Sequence, residues 1–296
     1  MMSWKDSIYI ACIIFIIVVS FCLYNESRYR NVISVNSGIV QLVKDGNKNT
    51  KSSYVKILWM YWEQGIENIL EYHQGEYNQM CIDGWKKLNP DWDVRVLDKN
   101  SALEYVPEMD QYNHLTMPMR SDLLRVKLLE KYGGVWADAS TLPMKPLTGW
   151  IEDCDEGTGI FFYRYFPNLI SRLYFPFEPF ACYISSWFIV AKQPNHYLIK
   201  RLSHEFECRV RKKNIHTTFR YFYFHDTLTY LITNDELIKT YINMLSTSQK
   251  LSHSRGGKKK KKTSINEVSV SQHPLCYKRA LTINREEYYK YINTHF

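Results

Sequence analysis

Met119-Arg-Ser-Asp-Leu-Leu-Arg-Val-Lys-Leu-Leu-Glu-Lys-Tyr-Gly-Gly-Val-Trp-Ala-Asp-Ala-Ser-Thr141 reads as a helix, a stop and a short strand. The first part has helical spacing and sets Asp122 and Arg125 one turn apart on a shared face. Gly133-Gly134 ends the helix and turns the chain, glycine being the usual residue just past a helix end. Val135-Trp136-Ala137 then reads as a short buried strand with Asp138 at its carboxyl end. Open α/β sheets bind ligands at the carboxyl ends of their strands. The segment is therefore expected to gather two acids and an arginine around one crevice, an arrangement suited to a sugar diphosphate held by a metal ion.

On either side, strand-like and helical segments alternate. Val55 to Tyr61 is rich in β-formers and reads as the first strand. Tyr77 to Leu88 has helical spacing, with Met80, Trp85 and Leu88 facing a core, and stops at Asn89-Pro90. Trp92 to Leu97 alternates as a second strand. Val126 to Tyr132 completes the central helix. Ser186 to Ala191 reads as a later strand, and Pro194 to Val210 and Asp226 to Ile232 as helices. This order predicts an α/β fold with a largely parallel sheet flanked by helices.

The folded domain is expected over 54–296, with 249–264 a low-complexity loop. Residues 26–53 are polar, aperiodic and stem-like. Within residues 1–25, the run Ile8 to Tyr24 carries no charge and is about 17 residues long, the short end of a membrane span. An uncleaved single-pass anchor is expected, because a signal peptide's apolar region is usually shorter and no small-residue cleavage site follows. Lys5 on one side and Arg28 and Arg30 on the other leave the orientation undecided.

Composition narrows the classes. A chain of 296 residues with 45% hydrophobic content has material for one large domain with accessories. Its 23 Tyr and 8 Trp suit ring stacking on sugars or bases, or a tyrosine-rich core. The formal net charge of +8 is partly concentrated in Lys258 to Lys262, which reads as a solvated loop. No nucleic-acid recognition fold surrounds that tract, so no nucleic-acid partner is expected. Seven cysteines with no C-x-x-C pair point away from a zinc site. P-loop, G-x-G-x-x-G and G-x-S-x-G motifs are all missing from the sequence.

Each candidate residue has two readings. Asp138, Asp122 and Arg125 form either a donor-sugar and metal site or a buried ion-pair network. Trp59, Tyr61 and Trp62, at the end of the first strand, stack on a nucleotide base or pack in the core. His225 and Asp226 serve an acceptor or secondary site, or Asp226 simply caps the next helix. His273 binds diphosphate or metal, or is structural.

Several segments carry a resemblance to a known family: Tyr61-Trp-Glu-Gln-Gly65, Cys81-Ile-Asp-Gly-Trp-Lys-Lys-Leu-Asn-Pro90, Ser121-Asp-Leu-Leu-Arg125, Tyr132-Gly-Gly-Val-Trp-Ala-Asp-Ala-Ser140, Ser186-Trp-Phe-Ile-Val-Ala191, Tyr223-Phe-His-Asp226 and His273-Pro-Leu-Cys-Tyr-Lys278. In order, they resemble the capsular polysaccharide synthesis proteins. Those are similar to the wider group of DXD glycosyltransferases that includes yeast initiating mannosyltransferases and the glucosylating domains of clostridial toxins. The resemblance implies a GT-A fold and transfer of a sugar from a UDP- or GDP-sugar to a glycan acceptor, with retention at the anomeric carbon. It implies donor contacts from Asp122, Arg125 and Asp138; Gly134 and the aromatic residues Trp59, Tyr61 and Trp62 are further candidates for the donor site. A divalent cation, Mn²⁺ or Mg²⁺, is implied on Asp138, with Ser140 and His273 completing the set. Ser140 stands where the motif usually has its second acid, and a hydroxyl is a weaker ligand than a carboxylate.

The leading expectation is therefore a membrane-anchored glycosyltransferase. A type II single-pass protein of the Golgi or another secretory membrane matches the anchor, stem and domain order, with a bacterial inner-membrane enzyme the other possibility. Ser140 favours a second reading, a non-catalytic glycan- or nucleotide-binding protein on the same fold. The lysine tract favours a third, a membrane-tethered interaction protein.

Overall fold

The computed structural model describes residues 54–153, 158–164, 184–212, 223–244, 275–278 and 283–296, together with residues 9, 12–17 and 19–20. In chain order the elements are β1 (Ile57–Tyr61), α1 (Gly75–Leu88), β2 (Asp93–Leu97), α2 (Ser101–Tyr105), α3 (Met117–Tyr132), β3 (Gly134–Ala137), β4 (Thr141–Pro143), α4 (Trp150–Asp153), β5 (Ile160–Arg164), β6 (Ile184–Ala191), α5 (Tyr197–Arg211), α6 (Tyr223–Asn234), α7 (Glu236–Met244), β7 (Cys276–Lys278) and α8 (Arg285–His295). Short 3₁₀ turns at Ile66–Glu71 and Pro107–Tyr112 lie in the connections.

The main sheet has the order β2-β1-β3-β6-β5. β1 runs parallel to β2 and β3, as expected, whereas β6 is antiparallel to both β3 and β5. The sheet is therefore mixed and mostly parallel. Hydrophobic alternation identifies a strand but does not record its direction, so the reversal of β6 had no signature in the sequence. β5 was not read as a strand at all.

Period-two alternation along the strands divides the core into two layers. Leu58, Met60, Val135 and Ala137 face one side, against Ile82 and Trp85 of α1 and Ile151 of α4. Trp59 and Trp136 face the other, against α3, α5, α6 and α7. The central helix α3 is buried on several sides, with Leu123, Leu124, Val126, Leu128 and Leu129 all enclosed. Asp122, Arg125 and Lys127 are buried with them, so the enclosed surface of this helix includes paired charges as well as leucines. It starts at Met117, with Pro118 in its first turn, where a missing N–H costs nothing.

Gly133 and Gly134 do more than end that helix. Their φ angles are +67° and +92°, a region that favours glycine. A Cβ on Gly134 would lie 2.5 Å from the Ile57 carbonyl oxygen, and one on Gly133 would lie 2.8 Å from the Gln193 backbone. The pair thus allows β3 to start directly against β1 and under the chain that follows β6.

A second, two-stranded sheet pairs β4 with β7, antiparallel, with Thr141 opposite Lys278. α8 covers it. The Tyr288 hydroxyl donates to the Pro143 carbonyl at 2.7 Å, and the Tyr291 hydroxyl to the Met144 carbonyl at 3.1 Å. Gly84 in α1 has no side chain because the Tyr288 hydroxyl occupies that space.

Of the expected anchor, residues 12–17 are helical, and Ile13, Ile14, Phe15, Ile16 and Ile17 are each more than half exposed. Among the described residues no helix is long and apolar enough to cross a membrane. The stem, the 249–264 loop with Lys258 to Lys262, and His273 lie outside the described residues.

Candidate functional site

Strand alternation creates the site. Trp136 faces α3, and so does Asp138 two residues on, at the carboxyl end of β3. The Trp136 indole N–H donates to Asp138 Oδ1 at 2.9 Å. From α3, Arg125 reaches the same oxygen through Nη2 at 3.1 Å. Its Nη1 pairs with Asp122 Oδ1 at 2.9 Å and donates to the Ser186 carbonyl at 2.7 Å. The guanidinium lies over the Trp136 ring, 5.0 Å from its centroid. Arg125 and Asp122 are only 4% and 7% exposed.

The other Asp138 oxygen is bound from the far end of the chain. Lys278 Nζ donates to Asp138 Oδ2 at 2.5 Å and to Ser140 Oγ at 2.8 Å. The β4–β7 pairing brings this lysine in, since Thr141 carries the chain straight from Ser140 into the strand opposite Lys278. Asp122 is held by a third element, accepting a hydrogen bond from the Phe224 backbone N–H in the first turn of α6. A carboxylate at a helix N-terminus is favourably placed.

The two acids differ in proton affinity. Burial raises the Asp122 carboxyl to about 6, helped by the Asp138 charge and opposed by Arg125. Burial pushes Asp138 in the same direction, but the Lys278 and Arg125 charges and the hydrogen bonds outweigh it and hold Asp138 below the ordinary carboxylate range. Asp138 is therefore the more firmly anionic of the two. Such perturbed groups collect at functional sites and also in structural ion-pair networks.

Several expected residues sit elsewhere. Trp59 is fully buried, its ring packed on Tyr105 and Tyr132 and its indole N–H donating to the Gly133 carbonyl at 3.0 Å. It is thus part of the core under the glycine turn, with no ring face open to a ligand. Gly134 likewise serves the close β1–β3 approach. Tyr61 and Trp62 are half-buried at the carboxyl end of β1. The β1–β3 register pairs Trp59 with Trp136; continued two residues, it sets Tyr61 level with Asp138. Tyr61, Lys99, Asn113 and Arg120 line a groove there, where Arg120 pairs with Glu63.

His225 meets the Ile184 carbonyl at 3.0 Å through Nε2, and burial lowers its ring to about 4, so it is neutral at pH 7. Asp226 is not an N-cap, because α6 begins three residues earlier, at Tyr223. Burial raises its carboxyl, opposed by Arg209 of α5.

Among the described residues, the site oxygens do not fit a divalent cation as they stand. Mn²⁺ and Mg²⁺ ask for about six oxygen ligands. Asp138 already accepts from Trp136, Arg125 and Lys278, Ser140 accepts from Lys278, and Asp122 is engaged by Arg125 and Phe224. Among the described residues, no three His, Cys, Asp or Glu side chains gather as ligands. Trp136, Ser186, Phe224 and Lys278 were not picked out as site residues in the sequence. Their signal was shared: each lies within a segment that carries the family resemblance, Tyr132–Ser140, Ser186–Ala191, Tyr223–Asp226 and His273–Lys278.

Comparison with known proteins adds an independent line. Glycosyltransferase afumC of Aspergillus fumigatus (strain CBS 144.89 / FGSC A1163 / CEA10) is 33% identical over 115 residues, covering 34% of this chain and 28% of its own length. O-glycosyltransferase braB of Annulohypoxylon truncatum is 31% identical over 100 residues, covering 29% and 23%. The chain thus spans under a third of the length of these curated relatives. Among solved structures, the PaToxG Glycosyltransferase aligns with a TM-score of 0.39 and 14% identity over 72% of this chain and 88% of that one. The family model described as "Capsular polysaccharide synthesis protein" matches residues 12–292. With nearly its whole length matched, the chain belongs to the capsular polysaccharide synthesis protein family.

Proposed function

We propose that this chain is a glycosyltransferase of GT-A type, moving a sugar from a UDP- or GDP-sugar to a hydroxyl of a glycan acceptor with retention of anomeric configuration. The observation that carries the reading is the cluster Asp122–Arg125–Asp138–Ser140–Lys278 at the carboxyl edge of the sheet. The names of the two partial relatives support it.

Each residue has work to do in such a reaction. Asp138, firmly ionised, accepts hydrogen bonds from hydroxyls of the donor. Asp122 does the same above about pH 6. Arg125 fixes both carboxylates, and a group so held needs no reorganisation when charge develops, the usual source of electrostatic catalysis. The departing nucleoside diphosphate carries negative charge, and the basic side chains at this edge, Lys278 and Arg125, stabilise it. Tyr61 offers a ring in the groove for the base, whereas Trp62 packs with Tyr72 against the other core layer. The exposed apolar residues of the N-terminal helix suit a single-pass type II anchor in a secretory membrane.

The test is direct. The full chain is incubated with a panel of UDP- and GDP-sugars, and nucleoside diphosphate release is measured against Asp138→Ala. Release from one donor, lost in the variant, is the expected result. Donor binding without release under any acceptor condition would instead support the non-catalytic binding protein, which Ser140 in the acid position favours.

A further inference from the structure

We infer that the Lys278 ammonium takes the place of a divalent cation at this site, so that donor binding and sugar transfer proceed without metal. The inference deepens the glycosyltransferase reading and rests on it for the reaction, though not for the absence of a metal site.

The argument begins with the oxygens. A metal at the DXD position would need Asp138 and the residue at position 140. Here one oxygen of Asp138 lies 2.5 Å from Lys278 Nζ and the hydroxyl of Ser140 lies 2.8 Å from the same nitrogen. The remaining Asp138 oxygen accepts from Trp136 and Arg125 at 2.9 Å and 3.1 Å. A cation bound to the lysine-facing oxygens at about 2.1 Å would sit within about 5 Å of the ammonium, two like charges in a partly buried site. Losing the second acid to Ser140 and placing a lysine across the same pair of atoms are complementary changes. One removes negative charge that a metal requires, and the other supplies a positive charge covalently.

Among the described residues, the charges balance without a metal. Asp122 and Asp138 contribute two negative charges, and Arg125 and Lys278 two positive ones. An arriving diphosphate then meets a neutral cluster with an ammonium at its edge. The sequence separation shows how the lysine is held there: β7 is fixed to β4 by main-chain pairing, and α8 closes over β4 through Tyr288 and Tyr291. Lys278 is thus a built part of the edge.

In the transfer step, the bond from the anomeric carbon to the diphosphate oxygen breaks and its electron pair stays on that oxygen. The acceptor oxygen forms the new bond to the anomeric carbon, and its proton passes to the leaving phosphoryl oxygen. Lys278 keeps its protons throughout and donates hydrogen bonds toward the growing charge.

The experiment uses the full chain with Mn²⁺ as probe, alone and with added UDP or GDP, followed by electron paramagnetic resonance. Turnover is measured in parallel, with Mn²⁺ and with chelator. The expected results are an unbound Mn²⁺ spectrum and turnover unchanged by chelator. Lys278→Met should lower turnover by about 10²–10³-fold, the size of losing one positioned donor to developing charge. The double variant Ser140→Asp, Lys278→Met should immobilise Mn²⁺ and make its turnover depend on the metal. Immobilised Mn²⁺ in the unaltered chain, turnover lost to chelator, or Lys278→Met within about 3-fold of the unaltered rate would each overturn the inference. If no donor is turned over, the glycosyltransferase reading fails, and the Mn²⁺ spectrum still decides whether Lys278 holds the metal position.

Discussion

Replacing Arg125 with Met removes the one cation that both site acids share while keeping a side chain of similar length. The cost can be assembled from its contacts. Asp122 is raised to about 6 by burial in the intact protein, which costs about 3 kcal/mol at neutral pH relative to an unfolded carboxyl. Without Arg125 the Phe224 N–H is left to offset that burial, and the carboxyl moves upward until it is protonated at pH 7.5. The extra cost is then about 1–2 kcal/mol. The charge-assisted hydrogen bond to the Ser186 carbonyl, 2.7 Å long, adds about 1.5–3 kcal/mol. Asp138 adds less, because Lys278 remains on it. The sum, about 3–5 kcal/mol, agrees with the usual cost of breaking a buried ion pair.

The pH dependence makes the reasoning exacting. An acid whose folded-state affinity for protons is raised destabilises the fold as pH rises, since the unfolded chain ionises first. At pH 5 Asp122 is protonated in the folded state with or without Arg125, so its share of the penalty disappears. Urea unfolding of the full chain at pH 7.5 and pH 5 should show the cost of Arg125→Met shrinking by about 1–2 kcal/mol at the lower pH. Adding Asp122→Asn should remove that pH dependence. A cost under about 1 kcal/mol at pH 7.5, or one that grows at pH 5, would refute the assignment of Arg125 as the partner of a buried carboxylate.

Asp122→Asn alone should abolish a stability loss of about 3 kcal/mol that the unaltered protein suffers between roughly pH 4 and pH 6, measured by urea unfolding across that window. Gly134→Ala should cost about 1–3 kcal/mol for its positive φ, and more for the contact with the Ile57 carbonyl; equal thermal stability would show that β3 can shift away from β1. Trp59→Phe should cost about 1–3 kcal/mol by leaving the Gly133 carbonyl without its donor, with donor KM unchanged. A KM rise without a stability loss would return Trp59 to the donor site.

What could be read from the sequence was local. Helical spacing put Asp122 and Arg125 on one face, and strand alternation put Trp136 and Asp138 on the side of α3. Both patterns are set by neighbours in the chain, and the Asp122–Arg125–Asp138 half of the cluster followed from them. Trp59 was ambiguous because a ring at the end of a strand satisfies either a core or a ligand, and only the positions of Tyr105 and Tyr132 decide. Lys278 was overlooked for a different reason. Its strand, Cys276–Lys278, is three residues long, too short to show periodicity, and its partner strand lies more than a hundred residues away. The reversed direction of β6 leaves no compositional trace either. Pairings of this kind are properties of the folded sheet.

The late arrival of Lys278 also sets a clock. During synthesis, Asp122, Arg125 and Asp138 leave the ribosome together, while the ammonium that completes the edge follows some 140 residues later. At about 5–20 residues per second, the unfinished edge waits roughly 7–28 s for its last charge. Until then Arg125 and Trp136 are the only partners of the Asp138 carboxylate among those described that have been made, and β4 lacks both β7 and the helix that clamps it. A polypeptide interrupted between Ala191 and Lys278 would carry the strands of the main sheet and the acids but lack the closing cation. Completeness of the chain and competence of the site are thus tied to the same three-residue strand.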